Sequence, residues 1–235
     1  NKKGKGLDNL RFFPIIENTM SDYDVLVQIK ASALNFKDLM VSLGVVPEDY
    51  IGYEAAGIIV ESNNSKYNIG DEVLIVKNKS GKAISNYVYC SEEEIYRKPN
   101  NLSFAESTTI GIVFSTVYIC LIERARIKKG DTVLIHSATG GVGQSAIQIC
   151  KMMGATIIAS AGNDEKRNKL RDVYGIDYIT NSRDPNEFKK DVLEFTDNEG
   201  VDVILNSLAG ESLKANFEIV KKGGIIVEIG KRDSI

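Results

Sequence analysis

The sequence predicts an α/β protein in two parts, a β-barrel-type domain over residues 1–112 followed by a doubly wound parallel sheet over residues 113–235. In the first part, short apolar segments are separated by clusters of Gly, Asn and Asp, a pattern typical of short strands joined by turns. In the second part, strand and helix patterns alternate, which favours a parallel sheet covered by helices. A chain of 235 residues is long enough for two modest cores.

Alternating apolar residues predict the strands of the first part. Val25, Val27 and Ile29 recur at every second position, as on one face of a strand. A short helix is expected over residues 36–43. Further strands are expected over three segments, residues 57–61, 72–76 and 83–88.

The second part opens with a short apolar strand over residues 133–136, which leads into a glycine turn and a helix over residues 142–153. Strands and helices then alternate over residues 156–160, 164–173, 178–179, 185–195, 201–206, 212–221 and 225–229. The chain begins at Asn1 rather than Met and stops at Ile235, shortly after the last expected strand. We therefore expect a trimmed piece whose second sheet is incomplete at its C-terminal end.

Composition excludes several functional classes. The net charge of −3 and the pI of about 5.4 disfavour nucleic-acid binding, which needs a basic face. No apolar stretch approaches the roughly 20 residues that span a bilayer, so no membrane partner is expected. The three cysteines are widely separated and odd in number, which predicts a reducing compartment and a cytoplasmic location.

A glycine-rich loop is the most specific local feature. Gly140, Gly141, Val142 and Gly143 lie between the strand over residues 133–136 and the helix that follows it. In this context glycines let the backbone approach a pyrophosphate, which then binds at the helix N-terminus. The alternative is a tight strand–helix turn without a ligand. We favour a dinucleotide site.

The end of the next strand predicts which dinucleotide is bound. That strand ends without an acidic residue, whereas NAD-binding proteins usually place Asp or Glu there to bind the ribose hydroxyls. Lys166 and Arg167 follow shortly afterwards and are able to pair with a 2′-phosphate. The alternative is that these cations form a solvated helix face. We expect NADPH.

Several motifs in the same order resemble a known family, the enoyl reductase domains of type I fatty-acid and polyketide synthases. The similarity runs through nearly the whole chain, and the last two motifs are the more specific ones. The motifs are Leu34-Asn35-Phe36-Lys37-Asp38, Gly140-Gly141-Val142-Gly143-Gln144, Asn181-Ser182-Arg183-Asp184, Val203-Ile204-Leu205-Asn206-Ser207-Leu208-Ala209 and Glu228-Ile229-Gly230-Lys231.

The resemblance implies a GroES-like substrate domain followed by a Rossmann domain of the medium-chain reductase type. It also implies an activity: reduction of the α,β-double bond of an acyl thioester carried on acyl carrier protein, by hydride from NADPH and a proton. The expected partners are acyl carrier protein and the neighbouring domains of a synthase. Oligomeric state, acyl chain length and stereochemistry are left open.

Related alcohol dehydrogenases bind zinc, and the resemblance implies that this chain does not. Tyr53 stands where those enzymes have a zinc-binding His, and Asn35 stands where they have a Cys. The only histidine of the chain is His136, which we assign to the core. Because a catalytic zinc site needs three protein ligands, no metal is expected.

The resemblance also implies the catalytic and positioning residues. Lys231 matches the lysine proposed to donate a proton or a hydrogen bond near the nicotinamide; the alternative is a surface lysine after a strand. Asn35 and Asn206 are candidates to position substrate or nicotinamide, although Asn35 is equally suited to cap a helix. Thr116 is a further candidate, with a helix-interior role as its alternative. Arg183 is expected over the adenine or its 2′-phosphate.

Two rival functions remain open. A stand-alone NADPH quinone or enone oxidoreductase would share the fold and cofactor but would act on a free small molecule. A non-catalytic nucleotide-binding or scaffold module of a synthase would keep the fold without the chemistry.

Overall fold

A computed structural model describes residues 6–14 and 24–230 and divides the chain into two units, with the boundary between Ile112 and Val113. The first unit holds a five-stranded antiparallel sheet in the order β4-β1-β2-β3-β5. The strands are β1 (Val25–Ala33), β2 (Glu54–Ser62), β3 (Glu72–Val76), β4 (Tyr87–Cys90) and β5 (Ile95–Arg97).

The helices of the first unit are short. Helix α1 (Phe36–Ser42) connects β1 to β2, and helix α2 (Phe104–Ser107) follows β5. Single 3₁₀ turns lie at Leu7–Asn9 and Glu92–Glu94. Side chains of β1 point alternately to the two faces of the sheet. Val25 and Val27 share one face and are fully buried in a core with residues of β2, β3, β4 and β5.

A parallel sheet in the order β10-β9-β6-β7-β8 forms the second unit. Its strands are β6 (Thr132–Ile135), β7 (Thr156–Ala161), β8 (Tyr178–Asn181), β9 (Val201–Asn206) and β10 (Val220–Glu228). The helices between them are α4 (Gly141–Met153), α5 (Asp164–Asp172), α6 (Pro185–Phe195) and α7 (Glu211–Ile219). Helix α3 (Gly111–Val117) and a π-helix (Tyr118–Arg124) precede β6.

Both faces of this sheet are buried, as parallel sheets require. On β6, Val133 and Ile135 pack in the cluster that includes α4 and α5, whereas Leu134 packs on the opposite face with α6 and α7. The order of strands reverses at β6, because the chain runs outward through β7 and β8 and then returns to β9 on the other side. The resulting crevice at the carboxyl ends of β6 and β9 is where ligands bind in doubly wound sheets.

Two expected elements were wrong in part. The strand expected over residues 83–88 begins only at Tyr87. The backbone of Ala83 bonds to the Gly52 carbonyl oxygen and to the Ser32 hydroxyl, which lie in two different segments, so it does not pair with a single neighbouring strand. The helix expected over residues 212–221 ends at Ile219. Val220 is extended and pairs with Val201 of β9, so the final strand starts there.

The expectation that no stretch is long and apolar enough to cross a bilayer was also wrong, because one helical run meets both criteria. The helical run Phe104–Arg124 has 21 residues and a mean hydropathy of 1.6 in its most apolar window, of which 28% is buried. The mean hydropathy of this window is high because the few charged residues of the run lie near its ends. Length and composition alone are weak evidence for a membrane span, because core helices of soluble proteins meet the same test.

Candidate functional site

The glycine loop turns the chain from β6 directly into the N-terminus of α4. A Cβ atom built on Gly143 would lie 2.6 Å from backbone atoms of Ala138, so only glycine allows helix and strand to approach this closely. Val142 is half-buried and packs against the core of the same unit. Gly140 is the N-cap residue, and no side chain within the described ranges caps this helix. The first backbone N–H groups of α4 are therefore available to an anion.

Two side chains outside the glycines hold this loop in place. The amide nitrogen of Gln144 donates to the Thr139 carbonyl oxygen at 2.7 Å, and the Tyr174 hydroxyl donates to the amide oxygen of Gln144. Gln144 belongs to the motif shared with enoyl reductases, whereas Tyr174 is distant in the chain and carries no local sequence signal of this contact.

The three expected cations differ in their surroundings. Arg167 donates to the Ala161 carbonyl oxygen at 3.1 Å and pairs with Asp164 at 2.6 Å, so its guanidinium is engaged within its own turn. Lys166 is exposed. Arg183 lies across Gly162, since a Cβ atom built on that glycine would be 2.7 Å from the arginine Nε. In the part of the chain that the structure describes, neither Lys166 nor Arg183 forms an ion pair.

Asn206, at the end of β9, belongs to a buried polar network. Its side-chain oxygen accepts from the Asn216 amide at 2.9 Å and from the Leu208 N–H at 3.1 Å, and its nitrogen donates to the Leu208 carbonyl oxygen and to Glu228. Asn216 in turn bonds His136. Sequence reasoning missed Asn216 and gave Glu228 no role, and nothing in their local sequence could have indicated these contacts.

The crevice between β6 and β9 carries a strained residue. Ser137 follows β6 with a φ of +51°, a left-handed conformation that is uncommon for residues other than glycine. The Ser207 hydroxyl, just after β9, donates to the Ser137 hydroxyl at 3.0 Å. This contact joins the two strand ends at the point where the strand order reverses.

In the first unit, Asn35 lies at the N-cap position of α1 and is half-buried. Its backbone N–H donates to Asp38, and its side-chain amide donates to Glu54 at 3.2 Å. Glu54 is 3% exposed and also accepts from the Ile112 N–H at 2.9 Å. Burial raises the pKa of Glu54 above its ordinary value, although the hydrogen bonds from Ile112 and Asn35 act in the opposite direction.

The residues where related dehydrogenases bind zinc do not fit a metal. Tyr53 is buried, its hydroxyl bonds Glu48, and the Lys37 ammonium lies 4.1 Å from its ring centroid. Asn35 offers an amide rather than a thiolate, and Glu54 already accepts hydrogen bonds on both oxygens. Among the described residues, no group of three or more His, Cys, Asp or Glu side chains is arranged to hold a metal ion.

The remaining expected site residues are Thr116 and Lys231. Thr116 is half-buried inside α3. Lys231 lies outside the described residues. The structure thus brings the glycine loop, the three cations and Asn206 to the carboxyl edge of one parallel sheet, while Asn35 belongs to the other unit.

Comparison with known proteins places the chain in a family. The alcohol dehydrogenase GroES-like domain profile matches residues 21–119, and the zinc-binding dehydrogenase profile matches residues 141–234. A highly reducing polyketide synthase, gloL of Glarea lozoyensis, is 41% identical over 97% of this chain. The chain spans only 9% of that relative's length.

Two solved structures are similar in both fold and sequence. The CurF ER cyclopropanase from the curacin A biosynthetic pathway has a TM-score of 0.92 and 35% identity, with 100% of this chain and 73% of that chain covered. The CurK enoyl reductase has a TM-score of 0.89 and 34% identity, with 98% and 72% covered. By fold, identity and coverage, this chain belongs to the enoyl reductase domain family of polyketide synthases, within the nicotinamide-dependent oxidoreductases of the alcohol dehydrogenase fold.

Proposed function

We propose that this chain reduces the α,β-double bond of an enoyl thioester with NADPH, as one domain of a multidomain fatty-acid or polyketide synthase. The observation that carries the proposal is the convergence of three features at one sheet edge. These are the uncapped N-terminus of α4, the guanidinium of Arg183 beside Gly162, and the hydrogen-bonded ends of β9 and β10. The relationship to enoyl reductases supplies the reaction class.

The residues of the second unit fit a dinucleotide. Gly143 allows α4 to pack against the end of β6. The first backbone N–H groups of a helix have no partner within the helix, so those at the start of α4 can bind the pyrophosphate. When bound there, a nicotinamide cofactor supplies the hydride for the β-carbon. The chain itself binds the phosphates, orients the nicotinamide and supplies a proton to the α-carbon.

The preference for NADPH over NADH rests on charge at the ribose. Strand β7 ends at Ala161 and is followed by Gly162, so no carboxylate stands where one would repel a 2′-phosphate. Arg183 is held across Gly162, and Lys166 is exposed in the first turn of α5. Both are better placed to meet a phosphate than Arg167, whose charge is engaged by Asp164.

This preference can be tested with charge-removing variants. Arg183→Ala and Lys166→Ala should each raise KM for NADPH about tenfold, because each removes a charge-assisted contact, and should change KM for NADH about twofold at most. Lys190→Ala is the matched control, since Lys190 is an exposed lysine on α6. Equal effects on both cofactors would remove Arg183 and Lys166 from the 2′-phosphate site.

Protonation of the α-carbon is assigned to Lys231, the next residue after Gly230. Asn35 and Thr116 are kept as proposed positioning residues for substrate or nicotinamide. No step is routed through a metal, because the donor set of the first unit does not fit one.

Substrate class separates the proposal from its rivals. We expect kcat/KM for NADPH oxidation to be much higher with a crotonyl thioester than with a quinone. Faster turnover of the quinone would favour a stand-alone quinone or enone oxidoreductase. NADPH binding without turnover of either substrate would favour a non-catalytic nucleotide-binding module.

The proposed partners are acyl carrier protein and the neighbouring domains of the synthase, as the multidomain relatives suggest. No nucleic acid or membrane partner is part of the proposal, and the proposed location is cytoplasmic. The three cysteines are all buried and unpaired, which supports a reducing compartment.

A further inference from the structure

A chain of buried polar side chains runs through the second unit from β7 to the carboxyl end of β10. Ser160, His136, Asn216 and Asn206 are each at most 3% exposed. His136 Nδ1 lies 2.8 Å from the Ser160 hydroxyl, and His136 Nε2 lies 2.8 Å from the Asn216 side-chain oxygen. Such groups are costly to bury unless every one is hydrogen-bonded, as they are here.

The hydrogen bonds of this network have a defined direction. Asn216 uses its amide nitrogen to donate to Asn206, so its oxygen must accept a hydrogen bond from the Nε2–H group of His136. The imidazole is then the neutral Nε2–H tautomer, and its Nδ1 accepts from the Ser160 hydroxyl. Burial lowers the pKa of His136 to about 4, which is consistent with a neutral ring at physiological pH.

At its outer end the network fixes two strand ends. Asn206 accepts from the Leu208 N–H and donates to the Leu208 carbonyl oxygen at 2.8 Å, which closes the turn after β9. Its second amide proton goes to Glu228 Oε2, and Glu228 Oε1 accepts from the Gly230 N–H. One carboxylate therefore ties the end of β9 to the chain as it leaves β10.

Asn206 has no hydrogen-bonding capacity left for a ligand. Both of its amide protons and two acceptor positions of its oxygen are used within the unit. Its contacts thus favour an indirect contribution at the crevice, through the shape of the strand ends.

We propose that Asn216 and Glu228 are positioning residues that act through Asn206 to hold Leu208 and Gly230 where the nicotinamide half of the cofactor is oriented. This inference rests on the proposed function, because it assigns the nicotinamide to this sheet edge. The network links the buried His136 to the crevice and ties the two strand ends together, so these strand ends would hold a bound nicotinamide in one orientation.

Glu228→Gln is the first test, because Glu228 is exposed and the change preserves shape. Asn206 and Gly230 donate to different oxygens of Glu228. Glutamine replaces one of these oxygens with an NH2 group, which donates and cannot accept, so one of the two contacts is lost. We expect kcat for enoyl thioester reduction to fall about tenfold, with KM for NADPH within about twofold of the unchanged protein and no change in urea midpoint. Glu218→Gln, which removes a surface carboxylate on α7 paired with Lys189, is the matched control and should leave kcat unchanged.

Asn216→Asp tests the inner part of the network. In its ionised form aspartate can still accept from His136 but cannot donate to Asn206, so kcat measured at pH 8, where this form is favoured, should fall in the same way. Combined with Glu228→Gln, the two effects should be less than additive, because both act through Asn206. Fully additive effects would contradict the proposal. If Asn216→Asp does not fold, the outcome for Glu228→Gln decides alone.

A spectroscopic measurement keeps this inference separate from the proposed function. Fluorescence of bound NADPH reports the surroundings of the nicotinamide without turnover. Glu228→Gln should bind NADPH with unchanged Kd but with a reduced fluorescence enhancement. The positioning role is overturned if the unsubstituted protein reduces the enoyl thioester and Glu228→Gln shows the same kcat and the same fluorescence enhancement. An unchanged protein that binds NADPH but reduces no enoyl thioester overturns the proposed function, and the fluorescence result then decides the positioning role by itself.

Discussion

At the scale of single residues, the backbone just before the proposed proton donor Lys231 is held by two hydrogen bonds. The Gly230 N–H is bound by the Glu228 carboxylate, and the Ile229 N–H is bound by the Asn206 carbonyl oxygen at 3.0 Å. The backbone is therefore held at two successive positions just before the lysine. A residue that delivers a proton in a transition state needs such a fixed starting point.

We predict that Lys231→Ala lowers kcat for enoyl thioester reduction about 100-fold, because a general acid contributes at least this much, while Kd for NADPH changes about twofold at most. Steady-state kinetics and NADPH titration measure the two quantities. Lys222→Ala is the matched control, since Lys222 is an exposed lysine near the start of β10. Undiminished turnover of Lys231→Ala would reject the donor role.

Residue by residue, the sequence was informative where function depends on local backbone. The positions of the loop glycines and of the cations after β7 could be predicted, because they follow from the order of strands and helices, and their role in binding the cofactor stays a prediction. The network around Asn206 could not be recognised. Its partners Asn216 and Glu228 come from other elements, and a hydrogen bond between distant residues leaves no periodic signal in the sequence.

At the scale of elements, boundaries were predictable where a cap marks them. Asn163 accepts from the Lys166 N–H at 2.9 Å, and Asp184 caps α6 with Pro185 in its first turn, so both helices begin where the sequence indicates. Val220 carries no such mark. Its apolar side chain continues the helical pattern and predicts helix, although pairing with Val201 places it in the sheet.

The junction between β6 and α4 gives a prediction for a whole element. Gly143→Ala would place a methyl group 2.6 Å from the backbone of Ala138, so the helix must shift away from the strand. We expect a loss of about 1–3 kcal/mol in the free energy of unfolding without cofactor, measured by urea denaturation.

Gly140→Ala provides the contrast to Gly143→Ala. Its Cβ would lie 3.3 Å from the Ser137 carbonyl oxygen, and its φ of −75° suits alanine, so stability should change little. NADPH affinity should nevertheless fall, because the added methyl group occupies the face that a pyrophosphate approaches. The interpretation of this loop would be contradicted if Gly140→Ala lost as much stability as Gly143→Ala and bound NADPH normally.

At the scale of the whole molecule, the two-part architecture could be predicted because apolar periodicity changes along the chain. Period-two alternation at Val25, Val27 and Ile29 belongs to the antiparallel unit, and the alternation of strands and helices belongs to the parallel one. Among its buried titratable side chains, each unit includes one whose pKa is shifted by burial toward its neutral form at mildly acidic pH, Glu54 in the first and His136 in the second. Their pKa shifts make the stability of the two units depend on pH in opposite ways.

The second unit should lose stability in mild acid. Burial lowers the pKa of His136 from 6.5 to about 4. As pH falls below 6.5 His136 becomes protonated in the unfolded chain, whereas in the folded unit it stays neutral down to about pH 4. The free energy of unfolding therefore falls by up to about 3 kcal/mol over this window. Because the chain has one histidine, its NMR titration gives the pKa without assignment. A midpoint near 6.5 would contradict a buried neutral ring.

The first unit should respond in the opposite sense through Glu54, whose pKa is raised by burial above its ordinary value of 4.5. As pH rises above 4.5 the unfolded chain releases this proton, whereas the folded unit retains it to a higher pH, so stability present in acid is lost toward neutrality. Glu54→Gln removes the titration and keeps the shape. Urea denaturation between pH 4.5 and 7.5 should therefore show the variant gaining on the unchanged protein as pH rises. Glu61→Gln, an exposed change on the same strand, should run parallel to the unchanged protein, and a parallel course for Glu54→Gln as well would mean that Glu54 ionises as freely in the folded unit as in water.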